Sequence, residues 1–587
     1  MISDQSAQIS GFKILCRGFL LLLALAAEPA LFAAGPDSPA ADERFGVMTH
    51  FAQGWDPAMI PQIAAGGIFQ VRDELYWDSV EGNKGVFKFP ETYDRYLGAL
   101  DRQKISPLIV LSFENHNYDG GATPYTPEAF AGYARYAVEV LRHCGPQVKA
   151  VEIWNEYNGT FNHGPASQDR AHNYGAMLRV VYAAIKRERP DVIVVGGATS
   201  GVPLPYWEKL LANGALDHLD ALSVHPYRFA QAPEGIEDEI KSLQALVQRY
   251  NHGAAKPIWV TEIGWQIRPG SAGGDLKVDE ATQARFLVRA FALLLSADVP
   301  RIYWYLFRDH EDFTMGLVHR DDARTPKPAY FAYATLIQQL QGAKFLQREA
   351  TPPDLYSLVF RKPDGKEVRV LWSLTPRTLK LTGANAAVDI AGQPVAPGEL
   401  AIGESPLFVT GPLRGLPPAS PERGQEIANS VREFSGVPGG YWTYGAFQSA
   451  AAVFVPLPNY EITDWQAAWS GLFPYLAITA VDQHPSVLNS LPVAAVRRWQ
   501  SENGGRVRVT GSFRCGVEGD GVGVSIFVNG QMRFRKPLGG GGAVAENFDL
   551  VELLPPKSTV DFVVDPGPGA NIDHDATAVA VVIRAEP

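Results

Sequence analysis

Apolar residues recur with two different periods between residue 45 and residue 340. Short apolar runs alternate with stretches in which apolar residues are spaced by three or four positions. In one such stretch Tyr174, Met177, Leu178, Val181 and Ile185 mark the buried face of a helix. The runs predict strands at Phe45–His50, Ile68–Arg72, Leu108–Phe113, Ala150–Asn155, Val192–Gly197, Ala221–His225, Ile258–Glu262 and Arg301–Phe307.

Strands that alternate with helices in this way predict a (β/α)8 barrel at residues 41–342. Thr126-Pro127 predicts the start of one helix, with a capping hydroxyl followed by proline at the first helical position. The alternative fold, an open doubly wound sheet, would favour a glycine-rich phosphate-binding turn after an early strand. The first predicted strand is instead followed by Phe51-Ala52-Gln53-Gly54-Trp55, so the barrel is favoured.

The pattern changes to short strands after the barrel. Two strand-like runs flank the turn signal Pro363-Asp364-Gly365, and further short pieces continue to Val409. We therefore expect a small all-β domain at residues 343–412, packed on the barrel. The stretch 413–421 is rich in proline and glycine and predicts a linker.

Residues 422–587 are again strand-like and predict a C-terminal β-sandwich. Asn529-Gly530 is a strong hairpin signal within it. The tryptophans of this part could form a carbohydrate-binding face or fill the core: Trp442, Trp465, Trp469 and Trp499.

The amino terminus resembles an export signal. Lys13 and Arg17 precede an apolar run, 19–27, that is too short to span a bilayer, and small residues follow. We expect a signal peptide at residues 1–34 and a secreted or periplasmic protein that has no stable membrane association after cleavage. An uncleaved membrane anchor is the alternative.

Composition narrows the classes of partner. A chain of 587 residues is too long for one core, and 46% hydrophobic with 20% charged residues is ordinary for a folded protein. The formal net charge of −11 argues against nucleic acids and anionic membranes. The three cysteines have no zinc-binding spacing, and we expect neither a metal nor a cofactor.

Two glutamates stand at the ends of predicted strands. Glu156 closes a run in the fourth strand region, and Glu262 closes the seventh strand. In one parallel barrel the carboxyl ends of all strands share a face, so the two carboxylates can converge. A retaining glycosidase needs such a pair, one nucleophile and one acid that later acts as a base.

Further candidates stand at the same predicted face. Asn155 could bind a sugar hydroxyl beside Glu156. Arg72, at the predicted end of the second strand, could keep Glu262 ionised or form a barrel salt bridge. Tyr227 could donate a hydrogen bond to the nucleophile, and His225 could contact the substrate.

Two more candidates are ambiguous. Trp304 in the eighth strand could stack on the face of a sugar or pack in the core. Asn117 belongs to the polar loop 114–121 after the third strand, which could bind sugar hydroxyls or simply form a turn.

Three of these motifs resemble those of clan A retaining glycoside hydrolases: Trp154-Asn155-Glu156, His225-Pro226-Tyr227 and Thr261-Glu262. The segments 71–81, 85–89, 316–318 and 325–330 are similar to glycoside hydrolase family 39 and its relatives. The resemblance implies that Glu156 is the acid/base, that Glu262 is the nucleophile and that a poly- or oligosaccharide is the substrate. The alternatives are a non-catalytic glycan-binding protein on a barrel scaffold and a transglycosylase with the same residues.

Overall fold

The computed structural model describes residues 42–229, 231–267, 277–311, 313–352, 354–396, 398–418, 426–434, 441–448, 453–462, 467–516, 519–542, 545–567, 569 and 571–586. The predicted signal peptide at 1–34 lies outside these residues. Within them, no helix combines the length and the apolar character that crossing a bilayer requires.

Eight parallel strands close into a barrel in the order of the sequence, as predicted. The first strand pairs with the second and also with the eighth, which closes the ring. The strands are β1 Phe45–Met48, β2 Gln70–Tyr76, β3 Ser106–Ser112, β4 Ala150–Ile153, β5 Ile193–Ser200, β6 Ala221–His225, β7 Ile258–Ile263 and β8 Ile302–Trp304.

Helices follow the strands and cover the barrel. They are α1 Ile60–Ala65, α2 Trp77–Val80, α3 Glu91–Arg102, α4 Pro127–Cys144, α5 Arg170–Glu188, α6 Leu204–Ala212, α7 Ile236–Tyr250, α8 Glu280–Ser296 and α9 Pro328–Leu340. The predicted start of α4 is confirmed, because Pro127 is its first residue and the Thr126 hydroxyl accepts a hydrogen bond from Ala129 N at 3.3 Å. The apolar stripe predicted for α5 is buried.

Strand β2 continues past its predicted end at Arg72. It pairs with β3 in unbroken register from Gln70 opposite Ser106 to Tyr76 opposite Ser112. The acidic residue that follows Arg72 interrupts the apolar run, but Asp73 is satisfied by the Thr49 hydroxyl at 2.7 Å and by Phe51 N at 2.8 Å. Arg72 therefore lies inside the strand rather than at its end.

The small all-β part consists of antiparallel strands. A six-stranded sheet has the order β14-β13-β16-β11-β10-β9, and β12 pairs with β15. One face of the sheet, with Tyr356 and Trp372, belongs to the same hydrophobic core as the barrel. The bounds are β9 Lys344–Arg348, β10 Leu355–Arg361, β11 Glu367–Ser373, β12 Arg377–Lys380, β13 Ala386–Val388, β14 Pro394–Val395, β15 Glu399–Ile402 and β16 Leu407–Thr410.

The predicted linker at 413–421 begins within this part of the structure. Arg414 forms an antiparallel bridge with Thr382, and Leu413 belongs to the cluster on the other face of the sheet. Residues 419–421 lie outside the described residues.

The C-terminal part contains two further antiparallel sheets around one core. Trp442 and Trp499 are buried in that core and Trp469 packs against it, whereas Trp465 lies outside the described residues. Asn529 and Gly530 form the β27–β28 hairpin with φ of 48° and 76°. The strands are β17 Glu426–Asn429, β18 Trp442–Gln448, β19 Phe454–Pro456, β20 Asn459–Ile462, β21 Ala467–Ser470, β22 Ala477–Ile478, β23 Asp482–His484, β24 Ser486–Leu488, β25 Leu491–Gln500, β26 Gly505–Cys515, β27 Val522–Val528, β28 Gln531–Leu538, β29 Ala545–Leu554, β30 Thr559–Asp565 and β31 Thr577–Ala585.

An irregularity in β5 shapes the barrel mouth. The register of β5 against β6 shifts between Gly196 and Thr199. Gly197 has φ of 108°, and a Cβ placed on it would lie 2.1 Å from the Trp207 ring. The next residue, Ala198, uses its carbonyl oxygen to accept a hydrogen bond from Glu156 N at 2.7 Å. The absence of a side chain at Gly197 therefore supports the position of Glu156.

We expect Gly197→Ala to lower the free energy of unfolding by about 1–3 kcal/mol more than Gly201→Ala does. Both positions have positive φ, but a Cβ at Gly201 meets nothing within 4 Å, so that variant reports the backbone cost alone. Urea denaturation of the two variants measures the difference. Equal losses of unfolding free energy in the two variants would show that the Trp207 ring moves aside without an energetic cost.

Candidate active site

Glu156 lies just beyond the carboxyl end of β4. Trp154 and Glu156 both have positive φ, 70° and 43°, so the chain turns sharply after the strand. The hydrogen bond to Ala198 O fixes this turn. The Glu156 carboxylate lies beside the end of β6, where its Oε1 is 3.0 Å from His225 Nδ1.

Glu262 lies in β7 and has strong partners on both oxygens. Arg72 Nη1 donates to its Oε1 at 2.5 Å, and the Tyr227 hydroxyl donates to its Oε2 at 2.7 Å. Its side chain is 9% exposed. The carboxylate is thus buried, fixed and paired with a permanent cation.

His225 joins the two glutamates. Its Nδ1 is 3.7 Å from Glu262 Oε2 as well as close to Glu156, and its Nε2 is 3.0 Å from the Thr261 hydroxyl. One oxygen of Glu156 and one of Glu262 lie within 4.8 Å of each other and of a His225 nitrogen. The predicted convergence of the two carboxylates is therefore present in the structure.

Arg72 connects three strands inside the barrel. Its Nε donates to Glu152 Oε2 at 2.6 Å and its Nη2 donates to Asn155 Oδ1 at 2.8 Å, in addition to the contact with Glu262. The side chains of Arg72 and Glu152 are completely buried. Both roles considered for Arg72 are realised at once, since it forms a barrel salt bridge and also contacts Glu262.

The site favours an ionised Glu262. Burial by itself would raise the pKa of this carboxyl, but the charges of His225 and Arg72 and the hydrogen bond from Tyr227 outweigh it and hold the pKa below 4.5. Burial would lower the pKa of His225, yet Glu262 and Glu156 raise it above 6.5. The two groups stabilise each other's charged forms.

The spacing of Glu156, His225 and Glu262 would also admit a metal ion. Both Glu262 oxygens, however, already accept hydrogen bonds from Arg72 and Tyr227. A cation there would have to compete with the guanidinium. This donor set fits a metal poorly, and the expectation of a metal-free site stays a prediction.

A pair of carboxylates at the open end of a parallel barrel is the arrangement on which glycosidases depend. Comparison with known families supplies the deciding observation. Residues 109–325 match the family model of the glycosyl hydrolase catalytic core. This segment runs from within β3 past β8 and contains both glutamates, so the match supports a glycosidase. The resemblance inferred from the motifs is confirmed.

Solved structures agree with this fold. A family 39 glycoside hydrolase from the gut symbiont Bacteroides cellulosilyticus WH2 is 24% identical, with a TM-score of 0.54 over 63% of this chain and 82% of that chain. A family 39 β-xylosidase from Caulobacter crescentus is 16% identical, with a TM-score of 0.45 over 65% and 97% of the two chains. At 24% identity the likeness to the first of these structures concerns the fold alone. No curated protein matches the chain.

The open end of the barrel brings together most of the residues predicted from the sequence. The structure places six of them in a single network of contacts: Arg72, Asn155, Glu156, His225, Tyr227 and Glu262.

Of the two roles considered for Trp304, the structure favours packing in the core over the substrate-binding role. The side chain is completely buried, its ring stacks on Trp265 at 6.0 Å, and its Nε1 donates to Met315 O at 2.9 Å. A ring enclosed in this way packs the core and presents no face to a ligand.

The side chain of Asn117 likewise forms hydrogen bonds with residues other than Glu156 and Glu262. Its Nδ2 donates to Glu81 O at 3.0 Å and to Asn115 Oδ1 at 2.8 Å, which ties the β3–α4 loop to the segment after α2. The turn-forming alternative describes these contacts better than substrate binding.

Three residues of the site were missed by the sequence reasoning. Glu152 holds Arg72, and its signal was a charged residue within the apolar run of β4. Tyr305 and His50 follow β8 and β1, and the Tyr305 hydroxyl is 3.4 Å from His50 Nε2. Their position just after a barrel strand was the available signal.

Replacing Arg72 by methionine should destabilise the protein by about 3–5 kcal/mol, because two buried carboxylates lose their cation. Urea denaturation measures the loss. The double variant Arg72→Met with Glu152→Gln should recover part of it, since it removes one unpaired charge. A loss below about 1 kcal/mol would contradict a paired and buried Arg72.

Tyr227→Phe should move the acidic limb of the pH–activity profile to higher pH. The resemblance implies that Glu262 is a nucleophile, which must be ionised to react. Activity should therefore fall as the pH drops through its pKa, which, despite burial, the charges of His225 and Arg72 hold below the usual range of a glutamate. Loss of the hydroxyl removes one donor that lowers this pKa, and the rate should fall roughly 10- to 100-fold.

The matched control is Tyr182→Phe, whose hydroxyl on α5 donates to Asp220 Oδ1 at 3.2 Å, just before the start of β6 and at the other end of that strand from His225. Its profile should coincide with that of the unaltered protein. An unmoved acidic limb in Tyr227→Phe would show that Tyr227 does not help to ionise Glu262.

Proposed function

We propose that this protein is a retaining glycoside hydrolase that cleaves O-glycosidic bonds of a poly- or oligosaccharide by double displacement. Glu262 attacks the anomeric carbon while Glu156 protonates the leaving oxygen. Glu156 then deprotonates a water molecule, and the attack of that water releases the sugar from Glu262.

The observation that carries this proposal is the short separation of two carboxylates in different surroundings. An approach within 4.8 Å supports the retaining geometry, in which the carboxyl groups are roughly 5–5.5 Å apart, over the wider spacing of inverting enzymes. Glu262 contacts Arg72 and accepts from Tyr227, which suits a nucleophile that must remain ionised. Glu156, with an 18% exposed side chain, contacts His225 and suits proton exchange with a leaving group and water.

Export of the protein is part of the proposal. The apolar run after Lys13 and Arg17 and the small residues that follow it support a secreted or periplasmic location. A polysaccharide too large to enter the cell would be hydrolysed there.

Azide rescue can separate the two roles. Glu262→Ala should lose at least about 10⁴-fold in kcat, and Glu156→Ala roughly 10²–10⁴-fold on a substrate with a poor leaving group. With an activated aryl glycoside, azide should restore turnover in both. The glycosyl azide should have inverted configuration from Glu262→Ala and retained configuration from Glu156→Ala, as NMR of the products would show.

Glu208→Gln is the matched control, because Glu208 is also buried but accepts hydrogen bonds from Tyr250 and Tyr460 on the outside of the barrel. It should keep full activity. Full activity in either Glu156→Ala or Glu262→Ala would overturn the assignment. Binding of glycans without turnover by the unaltered protein would indicate a non-catalytic glycan-binding protein on a barrel scaffold.

A further inference from the structure

A third carboxylate lies beside the pair. Glu74 follows Arg72 by two residues in β2, so the two side chains are on the same side of the strand. Arg72 contacts Glu262, and Glu74 is one step closer to the carboxyl end of β2, where a barrel of this kind binds its substrate. The residue is 6% exposed.

Neutral donors hold Glu74 in place. Gln53 Nε2 donates to Glu74 Oε2 at 2.8 Å, and the Tyr76 hydroxyl donates to the same oxygen. In the described part of the chain no hydrogen bond reaches the other oxygen, Oε1. A fixed carboxylate therefore keeps one oxygen that can accept a hydrogen bond from a hydroxyl group.

The cations that contact the catalytic pair are already matched by carboxylates. Arg72 binds Glu152 and Glu262, and His225 lies between Glu156 and Glu262. Because these two cations are already paired, neither offers a free positive charge to an additional anion that binds between the glutamates.

His50 does not neutralise Glu74 either. Its Nδ1 is 4.0 Å from Glu74 Oε2 and is buried without a hydrogen-bond partner among the described residues. Burial lowers the pKa of His50 despite the nearby charges of Glu74 and Glu262, which favours the neutral ring. It can donate to or accept from a sugar hydroxyl without altering the charge of the site.

We propose, on the basis of the glycosidase function above, that Glu74 binds a hydroxyl group of the sugar attacked by Glu262 and restricts that position to neutral sugars. A charge-assisted hydrogen bond from a hydroxyl stabilises a neutral sugar. The carboxylate of a uronic acid would face Glu74 and Glu262, and in the described part of the chain no cation that contacts the catalytic pair is free to bind it. Like charges in such a contact are strongly unfavourable.

Arg308 is the nearby cation that would favour a uronic acid over a neutral sugar if it reached this position. Arg308 lies 5.1 Å from the centre of the Trp55 ring, and its Nε has no hydrogen-bond partner in the described part of the chain. Trp55 in turn packs against His50, with ring centres 5.2 Å apart. Among the described residues Arg308 forms no ion pair with Glu74 and is connected to it only through Trp55 and His50.

The test uses the full-length protein and polysaccharides that contain both neutral and uronic acid residues. A retaining enzyme leaves the sugar that occupied the position next to the nucleophile at the new reducing end, and mass spectrometry of the products identifies it. We expect neutral sugars there. A uronic acid at the new reducing end overturns this proposal and leaves the glycosidase function standing, whereas failure to cleave any glycan of a broad panel refutes the function itself.

Glu74→Gln tests the residue directly. It should lower kcat/KM on a neutral substrate roughly 10- to 100-fold and raise the relative rate on the matching uronic acid substrate at least about tenfold. Asp73→Asn is the control: it changes the neighbouring carboxyl group of the same strand, whose side chain accepts hydrogen bonds from the Thr49 hydroxyl, Phe51 N and Glu74 N. It should leave the ratio of the two rates unchanged, even if it lowers the melting temperature. An unchanged ratio in Glu74→Gln, with the fold verified by circular dichroism, would overturn the assignment.

Discussion

The buried guanidinium of Arg72 is the interaction on which the active site depends. A cation can be buried in a barrel only if carboxylates and other acceptors surround it, because desolvation costs several kcal/mol without them. Here the acceptors come from β4, from the turn that follows it and from β7. The burial of one side chain in β2 thus requires two distant strands to present Glu152 and Glu262 to it.

The same interaction separates the two glutamates that we propose to be catalytic. Glu262 shares Arg72 with Glu152 and is enclosed, whereas Glu156 has no described contact with Arg72, contacts His225 and retains some exposure. The difference follows from the backbone: Glu262 is within a strand, and Glu156 stands after a turn with positive φ that Ala198 O supports. The stability of this region and the different surroundings of the two glutamates therefore both depend on the contacts of Arg72.

The sequence predicted the barrel because its strands and helices have distinct periods, and it predicted both glutamates because they end apolar runs. It placed the end of β2 too early, since Asp73 and Glu74 look unfavourable in a buried strand. Their partners, Thr49 and Gln53, lie in the loop after β1, so no local pattern reveals them. For Trp304, periodicity gave no information on whether the ring faces the mouth or Trp265, because β7 and β8 meet only in the folded chain.

The two all-β parts contact the barrel at different distances along the chain from the carboxylate pair: one contacts the loop after β6, and the other contacts helix α6. Trp372 of β11 donates to Glu234 Oε1 at 2.9 Å, and Arg289 of α8 donates to the same oxygen at 2.7 Å. Glu234 belongs to the segment between β6 and α7 that begins with the Tyr227 region, so the small β domain supports the loop that delivers a hydroxyl to Glu262. Tyr460 of β20 instead donates to Glu208 on α6, at 2.9 Å. Loss of the small β domain should therefore disturb catalysis directly, whereas the sandwich contacts a helix on the outside of the barrel and can change without altering the carboxylate pair.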